Sequence, residues 1–276
     1  MCRLFAFRSA VPSKMHRSML SAENAIAKQS LAHQDGWGLA YYIDDYPHLI
    51  RSSLRAVDDE LFSTLGRSIS TRSIIAHIRR ATVGEVKLVN CHPFQFGRWI
   101  CAHNGEISSF SETVRQEMKA TVHKDIIDYI LGTTDSELIF FSILSRLIVY
   151  GLSLAEDIPT RSLVQAIRET VEMIESSFVP KPDQKPNRIN LLISNGDLLC
   201  AYRHNEDLYV STHKTRCPER DTCAAYIPSV CEQVVASGKV NHFLVSSEPI
   251  QSENVWRMMD NKCFVVIDRD MNMETI

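Results

Sequence analysis

The chain of 276 residues is long enough to bury a substantial core, as one large domain or as two small ones. Hydrophobic residues make up 45% and charged residues 23%, which is ordinary for a globular protein. A net charge of -3 without any basic cluster excludes the electrostatic footprint of a nucleic-acid-binding protein.

The eight cysteines are spread along the chain without a Cys-x-x-Cys pair, which favours reduced thiols. The first residues lack the layout of a signal peptide, because Arg3 and Arg8 flank only a few apolar residues. The most apolar stretch, residues 137–155, is interrupted by Arg146 and falls short of a span of ~20 residues. We therefore predict a cytoplasmic protein that does not contact a membrane.

Four strands and four helices are predicted in the first 177 residues of the chain. Runs of aromatic and aliphatic residues predict strands at 2–9, 36–44, 73–81 and 98–105. Helices are predicted at 13–30, 108–120, 135–150 and 160–177, and in the last of them the apolar residues are spaced three and four apart. Several of these elements begin or end in a polar cluster.

Strands dominate the rest of the sequence. The proline-rich residues 179–187 break the last helix and are predicted to form a surface loop rather than a domain boundary, since neither half alone balances sheets and helices. Asn195-Gly196 between two apolar runs predicts a hairpin. Further strands are expected within 208–213, 241–247 and 262–270. We predict an α+β architecture with helices layered on antiparallel sheets, in one domain over residues 1–276.

Cys2 follows the initiator methionine directly. Chain ends are usually frayed, so this is a poor position for a structural thiol. If Met1 is removed, Cys2 carries an α-amine, and an amine with a pKa near ~8 can act as general base for the thiol. The alternative is a buried small hydrophobe. The small cysteine side chain predicts that methionine aminopeptidase removes Met1.

Two polar clusters follow predicted strands. In HNGE, residues 103–106, the Asn104 amide and the Gly105 backbone N–H can converge on one oxyanion, although a plain Asn-Gly turn is the alternative. In HIRRAT, residues 77–82, Arg79 and Arg80 are adjacent and point to opposite faces of a strand. A guanidinium there suits a substrate carboxylate or a surface ion pair.

A third cluster, TTDSE at residues 133–137, is typical of a helix start. Thr134 stands three residues before Glu137, as in a capping box. Asp135 then occupies the first helical position, where the helix dipole favours a carboxylate. This carboxylate has two possible roles: it stabilises the helix, or it accepts hydrogen bonds from a substrate ammonium group.

Cysteine and histidine neighbours raise the alternative of a zinc site. Cys91-His92 and Cys101-x-His103 lack the spacing of a structural zinc site. Cys101 and His103 share one strand face, with no further ligands close by in sequence to complete a set of four. We predict no metal and no cofactor.

In order and approximate spacing, Cys2 and three motifs resemble the signature of class II glutamine amidotransferases, a branch of the N-terminal nucleophile hydrolases. These motifs are HIRRATVG, HNGEI and TTDSE. Three more resemble a standalone subgroup of predicted glutamine amidotransferases that includes γ-glutamyl hydrolases of thiol metabolism: HQDGWG at 33–38, NCHPF at 90–94 and VSSEP at 245–249.

This resemblance implies a four-layer αββα sandwich with the nucleophile at the end of a central strand. The implied site residues are Cys2 as nucleophile, Asn104 and Gly105 as oxyanion hole, and Arg79, Thr82 and Asp135 as binding groups for the α-carboxylate, the substrate body and the α-ammonium. The residues expected to shape the pocket are His33, Asp35, Trp37 and His92. Arg80 departs from the pattern, because many family members carry an aromatic residue there.

The implied reaction is hydrolysis of the side-chain amide of glutamine, or of a related linear γ-glutamyl amide, through a γ-glutamyl thioester on Cys2. Ammonia then passes to a separate protein, or the leaving group is a larger amine. One alternative is an amidase for a non-glutamyl acyl group, which has no use for a clamp of Arg79 and Asp135. Another is a catalytically idle interaction protein. The sequence leaves the leaving amine and the oligomeric state open.

Overall fold

The computed structural model describes residues 2–43, 45–235 and 237–276. Its strands are β1 Arg3–Lys14, β2 Trp37–Ile43, β3 Tyr46–Ser52, β4 Ser70–Ile78, β5 Phe94–Phe96, β6 Trp99–Glu106, β7 Arg188–Ser194, β8 Leu199–Tyr202, β9 Tyr209–Ser211, β10 Gly238–Lys239, β11 His242–Ser246, β12 Arg257–Met258, β13 Phe264–Ile267 and β14 Asn272–Thr275. Its α-helices are α1 Ile26–Gln29, α2 Glu60–Ser68, α3 Glu112–Ala120, α4 Asp135–Val149, α5 Thr160–Ser177 and α6 Pro228–Cys231. A π-helical turn spans Arg17–Ser21, and 3-10 turns span Ala56–Asp58, Leu88–Asn90 and Ile127–Tyr129.

The strands form two antiparallel sheets. Sheet 1 has the order β12-β9-β11-β1-β4-β2-β3, and sheet 2 has the order β10-β14-β13-β8-β7-β6-β5. Each sheet joins strands from both sides of the 179–187 loop, because β1 pairs with β11 and β6 pairs with β7. Residues 181–186 of that loop are exposed.

Four layers result from the alternation of side chains along each strand. Leu4 of β1 packs with Ala102 of β6 in the core between the two sheets, whereas Phe5 faces outward against Phe62 of α2. On the other side, Leu191 of β7 packs against α3, α4 and α5. The predicted α+β fold, a four-layer αββα sandwich, is therefore confirmed.

The most apolar stretch of the sequence is a core helix. α4 is buried along most of its length between sheet 2 and its neighbouring helices, so its side chains are apolar on nearly every face. No helix in the described part of the chain is long and apolar enough to cross a membrane.

Most predicted elements are confirmed, but the helix predicted over 13–30 is wrong in large part. β1 runs on to Lys14, because Ser13 and Lys14 pair with the start of β4 after a register shift. Only the π-helical turn and α1 are helical in this stretch. β3 and α2 had no counterpart in the prediction. Asp59 caps α2 by accepting a hydrogen bond from the Leu61 N–H at 3.0 Å.

Candidate active site

Cys2 lies directly before β1, a central strand of sheet 1. Its sulfur is 3.3 Å from both the backbone N and the carbonyl oxygen of Arg80, just past the end of β4. Burial raises the pKa of the half-buried Cys2 thiol, while the Arg80 N–H acts in the opposite direction. The thiol is therefore protonated at neutral pH and needs a base to react. Met1, whose removal is predicted from the sequence, lies outside the described residues.

A cavity of about 20 Å³ adjoins this thiol. Six of the residues predicted from the sequence are among those that line it: Cys2, Arg79, Thr82, His92, Gly105 and Asp135. They come from five separate stretches of the chain, which lie before β1, after β4, before β5, at the end of β6 and at the start of α4. One thiol, one guanidinium and one carboxylate thus face a common space.

Arg79 is buried, and the loop after β4 is wrapped around its guanidinium. Nη1 donates to the Glu85 carbonyl at 3.0 Å, and Nη2 donates to the Val83 carbonyl at 3.1 Å. Arg80 is exposed, so the two neighbouring arginines do face opposite ways. Asp35 fixes the start of this loop, because its carboxylate accepts a hydrogen bond from the Ala81 N–H at 2.8 Å.

Asn90, a site residue that the sequence analysis did not single out, holds the other end of the same loop. Its side-chain nitrogen donates to the Glu85 carbonyl at 3.0 Å, and its side-chain oxygen accepts from the Thr133 N–H at 2.9 Å. Asn90 therefore ties the Arg79 loop to the residues that precede α4. The only signal in the sequence was its place at the head of NCHPF.

Asp135 opens α4 and is held by two backbone donors. One carboxylate oxygen accepts from the Ile107 N–H at 2.9 Å, and the other accepts from the Ser136 N–H at 2.8 Å. The carboxylate is buried at the cavity wall. Its orientation is thus set by the end of β6 as well as by its own helix.

The predicted capping box is only half formed. Thr134 caps α4 by accepting a hydrogen bond from the Glu137 N–H at 3.3 Å. The Glu137 carboxylate instead accepts from the N–H groups of Leu131 at 3.1 Å and Gly132 at 2.6 Å. The chain before α4 folds back over the helix start and offers these donors in place of the Thr134 N–H.

Asn104 and Gly105, neighbours on β6, face opposite sides of sheet 2. Gly105 lines the cavity, whereas the buried Asn104 amide lies 3.4 Å from the Ser247 hydroxyl. The same hydroxyl accepts a hydrogen bond from the Leu4 N–H at 2.9 Å. Ser247, within the VSSEP motif, was not predicted as a site residue. It connects the predicted oxyanion residue to the strand that follows Cys2.

Gly105 cannot carry a side chain without disturbing β6. Its φ is 154°, and a Cβ atom would overlap the carbonyl oxygen of Arg188 on β7. We expect Gly105→Ala to lower the free energy of unfolding by about 3–5 kcal/mol, measured by urea denaturation. Gly97→Ala is the matched control, because Gly97 has a φ of 55° and open space around it, and should lose only about 1–2 kcal/mol. Equal losses would contradict the close approach at Gly105.

Two other residues that were predicted to shape the pocket, His33 and Trp37, lie outside the cavity lining. Burial and the nearby Arg3 charge lower the pKa of His33 to about 4, so its ring is neutral. Trp37 does not reach the cavity: its indole N–H donates to Asp59 at 2.9 Å and its ring packs against Phe62 on the helical side of sheet 1.

Cys101 and His103 share one face of β6, as their spacing predicts. Cys101 belongs to the core beneath the helices. His103 uses both ring nitrogens, with Nδ1 2.7 Å from the Ser136 hydroxyl and Nε2 3.1 Å from the Arg188 carbonyl oxygen. Within residues 2–43, 45–235 and 237–276, no group of three or more potential metal ligands converges.

The fold is a four-layer sandwich in which Cys2 lies at the head of a central strand. Class II glutamine amidotransferases as a family match residues 1–275, and the chain belongs to that family. "Probable glutamine amidotransferase DUG3" of Saccharomyces cerevisiae is 25% identical over 228 residues, covering 74% of this chain and 64% of the yeast protein. This chain therefore spans less than two thirds of that relative's length.

A bacterial hydrolase and a solved bacterial structure are also similar to this chain. "Gamma-glutamyl-hercynylcysteine sulfoxide hydrolase" of Mycobacterium tuberculosis is 32% identical over 81 residues, which cover 29% of this chain and 35% of that protein. A glutamine aminotransferase class-II domain protein from Silicibacter pomeroyi shares the fold, with a TM-score of 0.65 at 20% identity over 100% of this chain and 98% of that one.

Proposed function

We propose that the protein hydrolyses the side-chain amide of glutamine, or of a related linear γ-glutamyl amide, through a γ-glutamyl thioester on Cys2. The observation that carries this proposal is the shared cavity of Cys2, Arg79 and Asp135. The α-amino-acid end of a γ-glutamyl group offers a carboxylate for a guanidinium and an ammonium for a carboxylate. An acyl group without these charges would leave the Arg79 guanidinium and the Asp135 carboxylate without a substrate group to bind.

In the proposed reaction, the Cys2 sulfur attacks the side-chain carbonyl carbon, and its proton passes to the α-amine that removal of Met1 exposes. The Gly105 backbone N–H and the Asn104 amide stabilise the oxyanion, which requires the Asn104 amide to turn from the Ser247 hydroxyl toward the cavity when substrate binds. The α-ammonium group passes this proton to the nitrogen of the leaving amine as the carbon–nitrogen bond breaks, and water then cleaves the thioester into the γ-carboxyl group and the Cys2 thiol. Thr82, at the cavity wall, helps to seat the substrate.

The Arg79 loop has to move before a substrate can bind. A space of about 20 Å³ holds little more than one water, and the Val83 and Glu85 carbonyls already occupy the Arg79 guanidinium. A substrate carboxylate is a stronger acceptor than a backbone carbonyl and replaces them. Loop residues 84–89 are exposed, so their displacement uncovers little core.

The leaving group is proposed to be an amine larger than ammonia. The mycobacterial relative is named for a γ-glutamyl hydrolase reaction, which favours a hydrolase over an ammonia donor. We propose that residues 1–276 act as one domain. Transfer of ammonia to a separate acceptor protein is the second candidate, favoured by the amidotransferase name of the yeast relative.

Intact-protein mass spectrometry with 6-diazo-5-oxo-L-norleucine, a reactive glutamine mimic, tests this function. We expect a starting mass without Met1 and a single adduct that maps to Cys2. The Cys2→Ala variant is the control and should take up no adduct. Loss of Met1 without an adduct would redirect the search to larger γ-glutamyl amides. Retained Met1 without an adduct would favour a catalytically idle protein.

A further inference from the structure

We propose that Ser247 is a positioning residue of the oxyanion hole: its hydroxyl group donates a hydrogen bond to the side-chain oxygen of Asn104 and thereby directs the Asn104 amide N–H toward the reacting carbonyl at Cys2. This inference rests on the proposed function. It gives a role to a serine that does not line the cavity, and it explains how an amide whose nitrogen lies against Ser247 becomes an oxyanion donor.

Ser247 is attached by two hydrogen bonds to the strand that follows the nucleophile. Its backbone N–H donates to the Leu4 carbonyl at 3.0 Å, and its hydroxyl oxygen accepts from the Leu4 N–H at 2.9 Å. The serine is buried and comes directly after β11. These bonds fix the hydroxyl oxygen relative to β1, and therefore relative to Cys2, which lies two positions before Leu4.

Two polar groups lack partners where Ser247 meets Asn104. The Ser247 hydroxyl oxygen accepts from Leu4 and from Asn104, but its hydrogen has no acceptor among the described residues. The side-chain oxygen of Asn104 is buried and is likewise without a described partner. The Asn104 nitrogen is 3.4 Å from the hydroxyl oxygen, which is longer than the usual ~2.7–3.2 Å. The observed orientation of the Asn104 amide is therefore unfavourable.

A half-turn of the Asn104 amide about its Cβ–Cγ bond pairs both groups. The turn exchanges the positions of the amide oxygen and nitrogen without any movement of the backbone. The Ser247 hydroxyl then donates to the Asn104 oxygen and still accepts from the Leu4 N–H. The Asn104 nitrogen moves to the side away from Ser247, into the position of the unpaired oxygen.

The alternation of side chains indicates that this nitrogen is near the nucleophile. Leu4 of β1 and Ala102 of β6 pack together between the two sheets. Cys2 precedes Leu4 by two positions, so it lies on the same face of sheet 1. Asn104 follows Ala102 by two positions and lies on the facing side of sheet 2. The next residue, Gly105, lines the cavity with Cys2, which places Asn104 at the cavity end of β6.

Steady-state kinetics with L-γ-glutamyl-p-nitroanilide test this role. We expect Ser247→Ala to lower kcat about 10–10²-fold, less than the roughly 10²–10³-fold loss for Asn104→Ala, because the hydroxyl directs the amide without touching the substrate. KM should stay close to that of the wild type, since the oxyanion forms only after the substrate has bound. Ser247→Thr retains the hydroxyl group and should restore most of kcat.

The variant with both changes separates positioning from a structural role. Ser247→Ala also removes the acceptor of the Leu4 N–H, and a disturbance of β1 would lower kcat whether or not Asn104 is present. Positioning acts only through the Asn104 amide, so Ser247→Ala should have little further effect in a protein that already carries Asn104→Ala. If Ser247→Ala does not fold by circular dichroism, Ser247→Cys replaces it with the same expected loss, because a thiol is a weak donor.

Ser246→Ala is the matched control. Ser246 is the neighbouring residue at the end of β11, is also buried, and its hydroxyl has no described partner. Its replacement should leave kcat unchanged. An undiminished kcat in Ser247→Ala, or losses that multiply in the double variant, would overturn the inference while leaving the proposed function in place. A wild-type protein that does not hydrolyse γ-glutamyl amides would overturn both.

Discussion

Cys2→Ala is expected to abolish hydrolysis of γ-glutamyl amides, with kcat/KM lower by about 10⁴-fold or more. The change removes the only sulfur that faces the catalytic cavity within the described chain. The fold should persist, because Cys2 is half-buried and the described hydrogen bonds of its thiol are two 3.3 Å contacts with the Arg80 backbone. Steady-state assays with L-γ-glutamyl-p-nitroanilide and a thermal melt measure both effects.

Cys263→Ala is the matched control for this experiment. Cys263 is also half-buried, but it precedes β13 in sheet 2 and does not line the cavity. Its replacement should leave kcat/KM close to that of the wild type. Full activity of Cys2→Ala would exclude the thioester mechanism, and a large loss of melting temperature would show that Cys2 has a structural role.

Asp135→Asn is expected to raise KM by about 10²-fold, equivalent to roughly 2.7 kcal/mol of lost binding. An amide has no negative charge for the substrate ammonium. It also has a single carbonyl oxygen, so it cannot accept from both the Ile107 and the Ser136 N–H groups, and one buried donor is left unpaired. This unpaired backbone N–H should lower the free energy of unfolding by about 1–3 kcal/mol.

A substrate analogue separates the two effects of this change. With glutaryl-p-nitroanilide, which lacks the α-ammonium, wild type and Asp135→Asn should have similar KM values. Asp128→Asn is the control for charge, since Asp128 is exposed and does not line the cavity. An unaltered KM for the γ-glutamyl substrate in Asp135→Asn would contradict the ammonium-binding role.

Sequence patterns predicted the parts of this structure that depend on neighbours along the chain. The apolar runs that became β4 and β6 and the capped start of α4 at Thr134 are local signals, and they placed the polar clusters at the correct ends of elements. The extension of β1 to Lys14 depends on pairing with Ser70, a distant residue, so local periodicity wrongly favoured a helix there.

Contacts with residues that are distant in sequence also explain which site residues were not predicted. The two hydrogen bonds at the Ser247 hydroxyl join it to Leu4 and Asn104, which precede it by 243 and 143 positions. The role of Asn90 likewise depends on a residue far along the chain, because its side-chain oxygen accepts a hydrogen bond from the Thr133 N–H. Neither Ser247 nor Asn90 belongs to a pattern with a distinctive spacing. Only the folded chain shows which segments their hydrogen bonds connect.

The position of β1 between β4 and β11 also has a consequence for how the protein is made. During synthesis, one edge of β1 can pair as soon as β4 emerges, but the other edge waits for residues 242–246. At about 5–20 residues per second, that interval lasts on the order of ten to thirty seconds. The start of the chain thus remains open to processing enzymes well before the sandwich closes. We expect the ribosome-bound chain, rather than the finished protein, to be the form on which an aminopeptidase acts.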